Sequence, residues 1–168
     1  TRTSSTWSTF DADVEVAGFD ENGRLYALEQ GRRLWRVDRP RANPELHADL
    51  GAVSESDRRI ARIVGGALFD FRFSGSLRRN ERVIELSETA YRFCVADNGE
   101  SFAIALGNRS VRWWRRPDSE PHEIALEDTI VALAIHPDGD QLTTALRSGV
   151  STVHRWDGPS THLTPFPG

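Results

Sequence analysis

Short apolar runs alternate along this chain with turns rich in Asp, Asn, Pro and Gly, and the alternation repeats. The last copy is the clearest. Ile130–Ile135 is an unbroken apolar run, His136-Pro137-Asp138-Gly139-Asp140 is a turn, and Gln141–Leu146 is a second run. Arg147-Ser148-Gly149 turns, Val150–Trp156 alternates, Asp157-Gly158-Pro159-Ser160 turns again, and Thr161–Phe166 closes the unit. Gly, Asp and Asn tolerate the positive φ of tight turns, so the pattern predicts four short strands, a to d, joined as hairpins.

Two further copies align piece by piece. One has Tyr91–Val95, Ser101–Leu106, Ser110–Trp114 and His122–Leu126, with Asp97-Asn98-Gly99-Glu100 as its first turn. The other has Val14–Phe19, Leu25–Leu28, Arg33–Val37 and a short Pro44–Leu46, with Asp20-Glu21-Asn22-Gly23 as its first turn. Gly23 and Gly99 are 76 residues apart, and Gly99 and Gly139 are 40 apart. A weaker turn, Ser54-Glu55-Ser56-Asp57, falls in the gap. It predicts a degenerate copy with strands at Leu50–Val53, Arg59–Val64, Ala67–Phe73 and Arg82–Leu86. The alternative there is a helical turn over Arg58–Val64, because Ile60, Ile63 and Val64 sit at helix spacing. The β-branched residues and the flanking Gly65-Gly66 favour strand. A fixed period of this size marks a repeat architecture, and the expected fold is all-β.

Four-stranded units of about 40 residues, with Pro137-Asp138-Gly139 after strand a and Trp156-Asp157 closing strand c, resemble the WD40 family of β-propellers. The resemblance covers nearly the whole chain. It implies four four-stranded antiparallel blades, at about 14–47, 50–87, 90–126 and 130–166. It also implies that strand a lines a channel and is buried on both faces. Trp35, Trp113 and Trp156 then share one place in strand c and belong to the core. The family's polar tetrad is incomplete here: only His47 stands at the d–a position, and no b–c turn carries the Asp. Apolar packing is therefore expected to hold the blades together. Residues 5–10 align with a strand d, one more than a closed four-blade ring needs, and the chain has no Met. The expectation is a segment of a larger ring, its missing blades supplied by the same chain, another chain or a second copy; the alternative is a closed four-blade ring.

Composition narrows the function classes. The formal charge of −4 gives no nucleic-acid footprint, and no run has the length of a membrane span. All 21 basic residues are Arg, as a GC-rich bacterial gene would encode. The single cysteine, Cys94, is expected to be a buried thiol, in a reducing and hence cytoplasmic setting. There is no phosphate-binding Gly loop, nucleophile elbow or cysteine-based zinc spacing. His47, His122, His136, His154 and His162 form no i, i+4 pair. His122 and His162 are expected at one point of successive strands d, on an outer strand rather than in a pocket. Asp20, Asp97 and Asp138 read as turn formers. No catalytic residue, cofactor or metal is expected.

The turns carry the remaining signal. On one predicted face the d–a connections are acidic (Asp11, Asp13, Asp49, Glu88, Glu127, Asp128). The b–c turns there are basic or polar (Arg32, Arg33, Asn108, Arg109, Arg147). On the opposite face the a–b turns are acidic, and the c–d connections carry Arg39, Arg41, Arg78, Arg79 and Arg116. Concentric charge of this kind would steer and register a protein partner. The expected function is a non-catalytic interaction scaffold or sensor. The alternative is an enzyme-type propeller, hydrolase or lactonase-like, whose site absent blades complete. A third reading is assembly through the end blades.

Overall fold

The computed structural model describes residues 10, 13–20, 22–29, 32–50, 59–80, 82–107 and 109–163, and these form strands and turns with no helix among them. The strands make four antiparallel sheets of four, each in chain order. The first holds β1 (Val14–Phe19), β2 (Leu25–Glu29), β3 (Arg33–Val37) and β4 (Glu45–Asp49). The second holds β5 (Arg59–Val64), β6 (Ala67–Arg72), β7 (Ser76–Arg79) and β8 (Arg82–Glu85). The third holds β9 (Ala90–Val95), β10 (Phe102–Leu106), β11 (Ser110–Trp114) and β12 (His122–Ala125). The fourth holds β13 (Ile130–Ile135), β14 (Gln141–Leu146), β15 (Ser151–Arg155) and β16 (Gly158–Leu163). The chain divides into two compact units, Thr1–Arg72 with Leu77–Ile84, and Phe73–Ser76 with Glu85–Gly168.

The repeat is carried by main-chain chemistry. In three sheets the first turn makes the same two bonds. Gly23, Gly99 and Gly139 donate to the carbonyls of Asp20, Ala96 and His136 at 3.0, 2.9 and 2.8 Å. Asp20, Ala96 and His136 in turn donate to Arg24, Ser101 and Gln141. The three glycines have φ of 73, 66 and 82°, which a residue with a Cβ adopts only under strain. Side-chain oxygens cap the turn. Asn98 Oδ1 accepts from the N–H groups of Glu100 and Ser101, and Asp138 Oδ1 from that of Asp140. In the third sheet this part falls to Asn98 rather than to Asp97. The same three sheets carry a one-residue irregularity in the first strand, between Val14 and Val16, Ala90 and Arg92, and Ile130 and Ala132. Bulges re-aim a strand and are positional features.

Each unit has its own apolar core. In the first, Tyr26, Leu28 and Leu34 of the first sheet meet Leu68, Ala61 and Ile63 of the second, with Leu50. A Cβ on Gly18 would lie 3.1 Å from Ile63, so the bare backbone sets how closely β1 and β5 approach. In the second unit, Cys94, Ala103, Ala105, Val111 and Trp113 of the third sheet pack on Ile130, Leu142 and Leu146 of the fourth. Polar ties hold the turn end of this pair. Arg115 reaches Asp140 at 3.0 Å and Asp157 at 3.2 Å, and Asn98 donates to the Asp138 carbonyl at 3.2 Å.

The second sheet departs from the sequence expectation. Arg59–Val64 is strand rather than helix, and it is the first strand, not the second. Gly65-Gly66, with φ of 55 and 75°, makes the a–b hairpin. Ala67–Arg72 is then the second strand, and the third is Ser76–Arg79, which the pattern misses because Leu77 is its one apolar residue. Residues 51–57, expected to hold a first strand and its turn, lie outside the described residues, as do 5–9. The fourth strands also move, to Glu45–Asp49 in the first sheet and Gly158–Leu163 in the last.

Burial corrects a second expectation. The first strands β1 and β13 are not buried on both faces: Val131, Ala132 and Ala134 are exposed, as are Val14, Ala17 and Phe19, whereas in β9 Arg92 is the exposed residue. A first strand lies at one border of its sheet. The second strand is flanked on both sides, and β10 is buried throughout. The tryptophans differ as well. Ala27 pairs with Trp35 and Ala103 with Trp113, centring the turns on positions 31 and 108. Trp35 thus lies one position nearer its turn than Trp113, and the two project from opposite faces. Trp113 is fully buried, while Trp35 is half-buried and donates Nε1–H to Glu29 at 3.0 Å. Trp156 stands after β15, where its ring meets Trp113 edge-on at 5.0 Å. Cys94 is buried, as its place in a strand predicted. No helix among the described residues is long and apolar enough to cross a membrane.

Candidate functional site

The charged turn residues fall at the ends of strands where main-chain bonds fix them. Arg32 sits in the β2–β3 turn, and its carbonyl accepts from Leu50 N–H at 2.7 Å. Its guanidinium holds Asp49, at the end of β4, through two bonds of 3.1 and 3.2 Å. That hydrogen bonding, with the carboxylate's charge, raises the Arg32 pKa above its usual value. Exposed pairs contribute little to stability, so this contact orients rather than holds. Arg33 opens β3, exposed, with Glu29 Oε2 3.9 Å away. Asp13 is exposed just before β1.

The second unit repeats the device. Arg109, at φ 67°, accepts Leu126 N–H on its carbonyl at 2.9 Å and donates from its guanidinium to the Glu127 carbonyl at 3.3 Å. Asp128 caps two main-chain groups, Thr129 N–H at 2.7 Å and Ser148 N–H at 2.9 Å. Glu127 and Arg147 are exposed, and Glu88 is half-buried between β8 and β9. Asp11 and Asn108 lie outside the described residues. The structure therefore gathers Arg32, Arg33, Asp13 and Asp49 at one end of the first sheet. It gathers Arg109, Glu127, Asp128 and Arg147 in the second unit.

A second feature escaped the sequence reading. Between β12 and the outer strands β15 and β16 of the same unit lies a cleft of about 930 Å³. Leu126, Leu146, Val150 and Leu163 form its apolar lining, and Thr152, His154, Ser160 and His162 its polar part. Thr144 Oγ1 lies 3.0 Å from His154 Nε2, and His154 Nδ1 lies 3.0 Å from Ser160 Oγ. Thr152 Oγ1 lies 3.0 Å from His162 Nδ1. Hydroxyls donate and accept, so each rotates to match whichever nitrogen carries the proton. His162 is thus not the counterpart of His122. His162 pairs with Thr152, whereas His122 pairs with Trp113 and stacks near it. The two histidines differ by one position in register, which sends them to opposite faces.

Burial lowers the His154 pKa below its usual value, and the nearby His122 and His162 lower it further. The sign of the linkage follows. An unfolded chain takes up the proton near pH 6.5, while the folded chain resists until lower pH. Stability linked to His154 is complete above 6.5 and is lost as pH falls from there through the folded value. Urea unfolding between about pH 7.5 and 5 should show wild type losing more stability than His154→Gln. Parallel curves would assign that slope to other groups.

Among the described residues no group of three His, Cys, Asp or Glu could hold a metal ion. No protein-family model matches the chain, and a search of curated proteins finds no match.

Proposed function

We propose that this chain is part of a WD40-like β-propeller that serves as a non-catalytic protein-interaction or sensor module, meeting its partner through the charged turns. The supporting observation is a recurrent main-chain bond. The residue after the fourth strand donates to the turn between the second and third strands: Leu50 to Arg32, Leu86 to Gly75, Leu126 to Arg109. The bond fixes the turn backbone while leaving its side chain exposed at Arg32 and Arg109. A rigid frame with interchangeable charged tips suits recognition, because complementary charge sets encounter rate and register. A buried lone thiol, Cys94, fits a reducing, cytoplasmic setting.

The test is a triple variant, Arg32→Gln, Arg33→Gln and Arg109→Asn; asparagine suits the left-handed backbone at 109. With the partner identified by crosslinking in cells, association at low salt should slow about tenfold or more, with dissociation little changed. Added salt should narrow the gap. An unchanged association rate in a folded triple variant would remove the proposal.

A further inference from the structure

We infer that the cleft between β12 and β15–β16 is a binding site for an uncharged molecule that carries an aromatic ring of about the size of indole. The inference rests on comparing two sheets of one repeat. The β10–β11 and β14–β15 pairings are offset by 40 residues, since Phe102 pairs with Trp114 and Leu142 with His154. By the same offset Thr144, Thr152 and His154 stand where the third sheet has Ile104, Arg112 and Trp114. In the third sheet that place is filled: Trp114 is buried, and its ring stacks on Phe102 at 4.9 Å and 16°. In the fourth sheet a threonine and an imidazole replace the two largest side chains, and a cleft opens beside them. The repeat buries an aromatic ring at this position in the third sheet, and in the fourth it carries the smaller imidazole of His154, which lines the cleft.

The lining agrees with that occupant. Val150 and Leu163 are large apolar side chains left 42 and 45 % exposed at the cleft, surface that a flat ring would cover. The floor is polar where apolar residues would pack more simply. Thr152 and His154 are each 6 % exposed and hydrogen-bonded, His154 to the buried Thr144. Satisfied polar groups inside a blade that its neighbour fills with Ile and Trp mark a place where packing has yielded to another demand. With His162 Nδ1 held by Thr152, its Nε2 is left to bond a ring N–H or hydroxyl of a ligand. The charged lining residue is an acid, Glu127, which disfavours an anionic occupant.

The test uses the full chain with isotope-labelled methyl groups and histidine rings, titrated with indole and observed by NMR. The expected result is saturable shifts at Leu126, Val150, Leu163 and the rings of His154 and His162. Shifts that stay linear, or that scatter over the surface, overturn the inference. The double variant Thr152→Arg with His154→Trp restores the third sheet's pair and should abolish binding. If it does not fold, Val150→Arg at the exposed lip should weaken binding about tenfold or more without touching the core. Unchanged affinity in a folded variant of either kind also overturns the site.

Discussion

Replacing Trp113 with alanine is expected to lower the stability of the second unit by about 3–5 kcal/mol, the usual cost of emptying a large aromatic site in a core. Trp113 has no exposed surface, and its core cluster joins Cys94, Ala103 and Ala105 to Val111, Ile130, Leu142 and Leu146. Strand pairing fixes the backbones of these neighbours, so they close only part of the space. Its ring is braced edge-on by Trp156 at 5.0 Å and stacks with His122 at 6.3 Å. The Nε1 group has no hydrogen-bond partner, so the loss is packing alone and Trp113→Phe should recover much of it. Trp35→Ala is the comparison, since Trp35 is half-buried and keeps an edge toward solvent. Denaturant unfolding should give a markedly smaller effect at Trp35, with m unchanged in both. Equal costs would mean that the one-position offset between the two side chains has no energetic consequence.

That offset shows what the sequence could and could not convey. Turn chemistry was legible: Asn22-Gly23, Asn98-Gly99 and Asp138-Gly139 each announce a positive-φ turn, and the strands on either side follow in all three sheets. Strand existence is local, whereas the face a side chain takes depends on where pairing is centred. A shift of one residue reverses every face. Trp35 and Trp113 therefore look equivalent in sequence and are not. The second sheet failed for a related reason. Its first turn is Gly65-Gly66, and a two-glycine hairpin can join any two consecutive strands, so the pattern assigns β5 and β6 the second and third places when they hold the first and second.

The cleft lay hidden for the same physical reason. Thr144, Thr152, His154 and His162 are scattered polar residues in strands that alternate. They share a face only because Thr144 pairs with Thr152 and Thr152 with His162. Had the pairing centre been taken from the third sheet, with the 40-residue offset already visible in Gly99 and Gly139, the polar set would have emerged as a group. The charged turns were easier to see, since their positions follow from turn chemistry. Even there the bidentate hold of Arg32 on Asp49 needed coordinates, because it joins residues 17 apart across two strands.

Gly139→Ala and Gly23→Ala form the sharper experiment, because the two glycines occupy the same place in the same turn. Their φ values are 82 and 73°, so alanine meets similar backbone strain at each, about 1–2 kcal/mol. Their surroundings differ. A Cβ on Gly23 has nothing within 4 Å, whereas one on Gly139 would collide with the Cβ and Oγ of Ser101. Ser101 cannot retreat. It is buried, its Oγ donates to the Arg115 carbonyl at 2.9 Å, and its N–H donates to Asn98 Oδ1 at 3.1 Å. Overpacking adds about 1–3 kcal/mol, so Gly139→Ala should cost roughly 2–5 kcal/mol and Gly23→Ala only the strain. The collision is between two named residues, which makes it separable from strain by a double-mutant cycle. Ser101→Gly removes both colliding atoms and leaves Asn98 Nδ2 at 3.2 Å, so in that background Gly139→Ala should cost close to what Gly23→Ala does in the wild type. A cost that persists undiminished would place the third and fourth sheets farther apart at this turn than the structure has them.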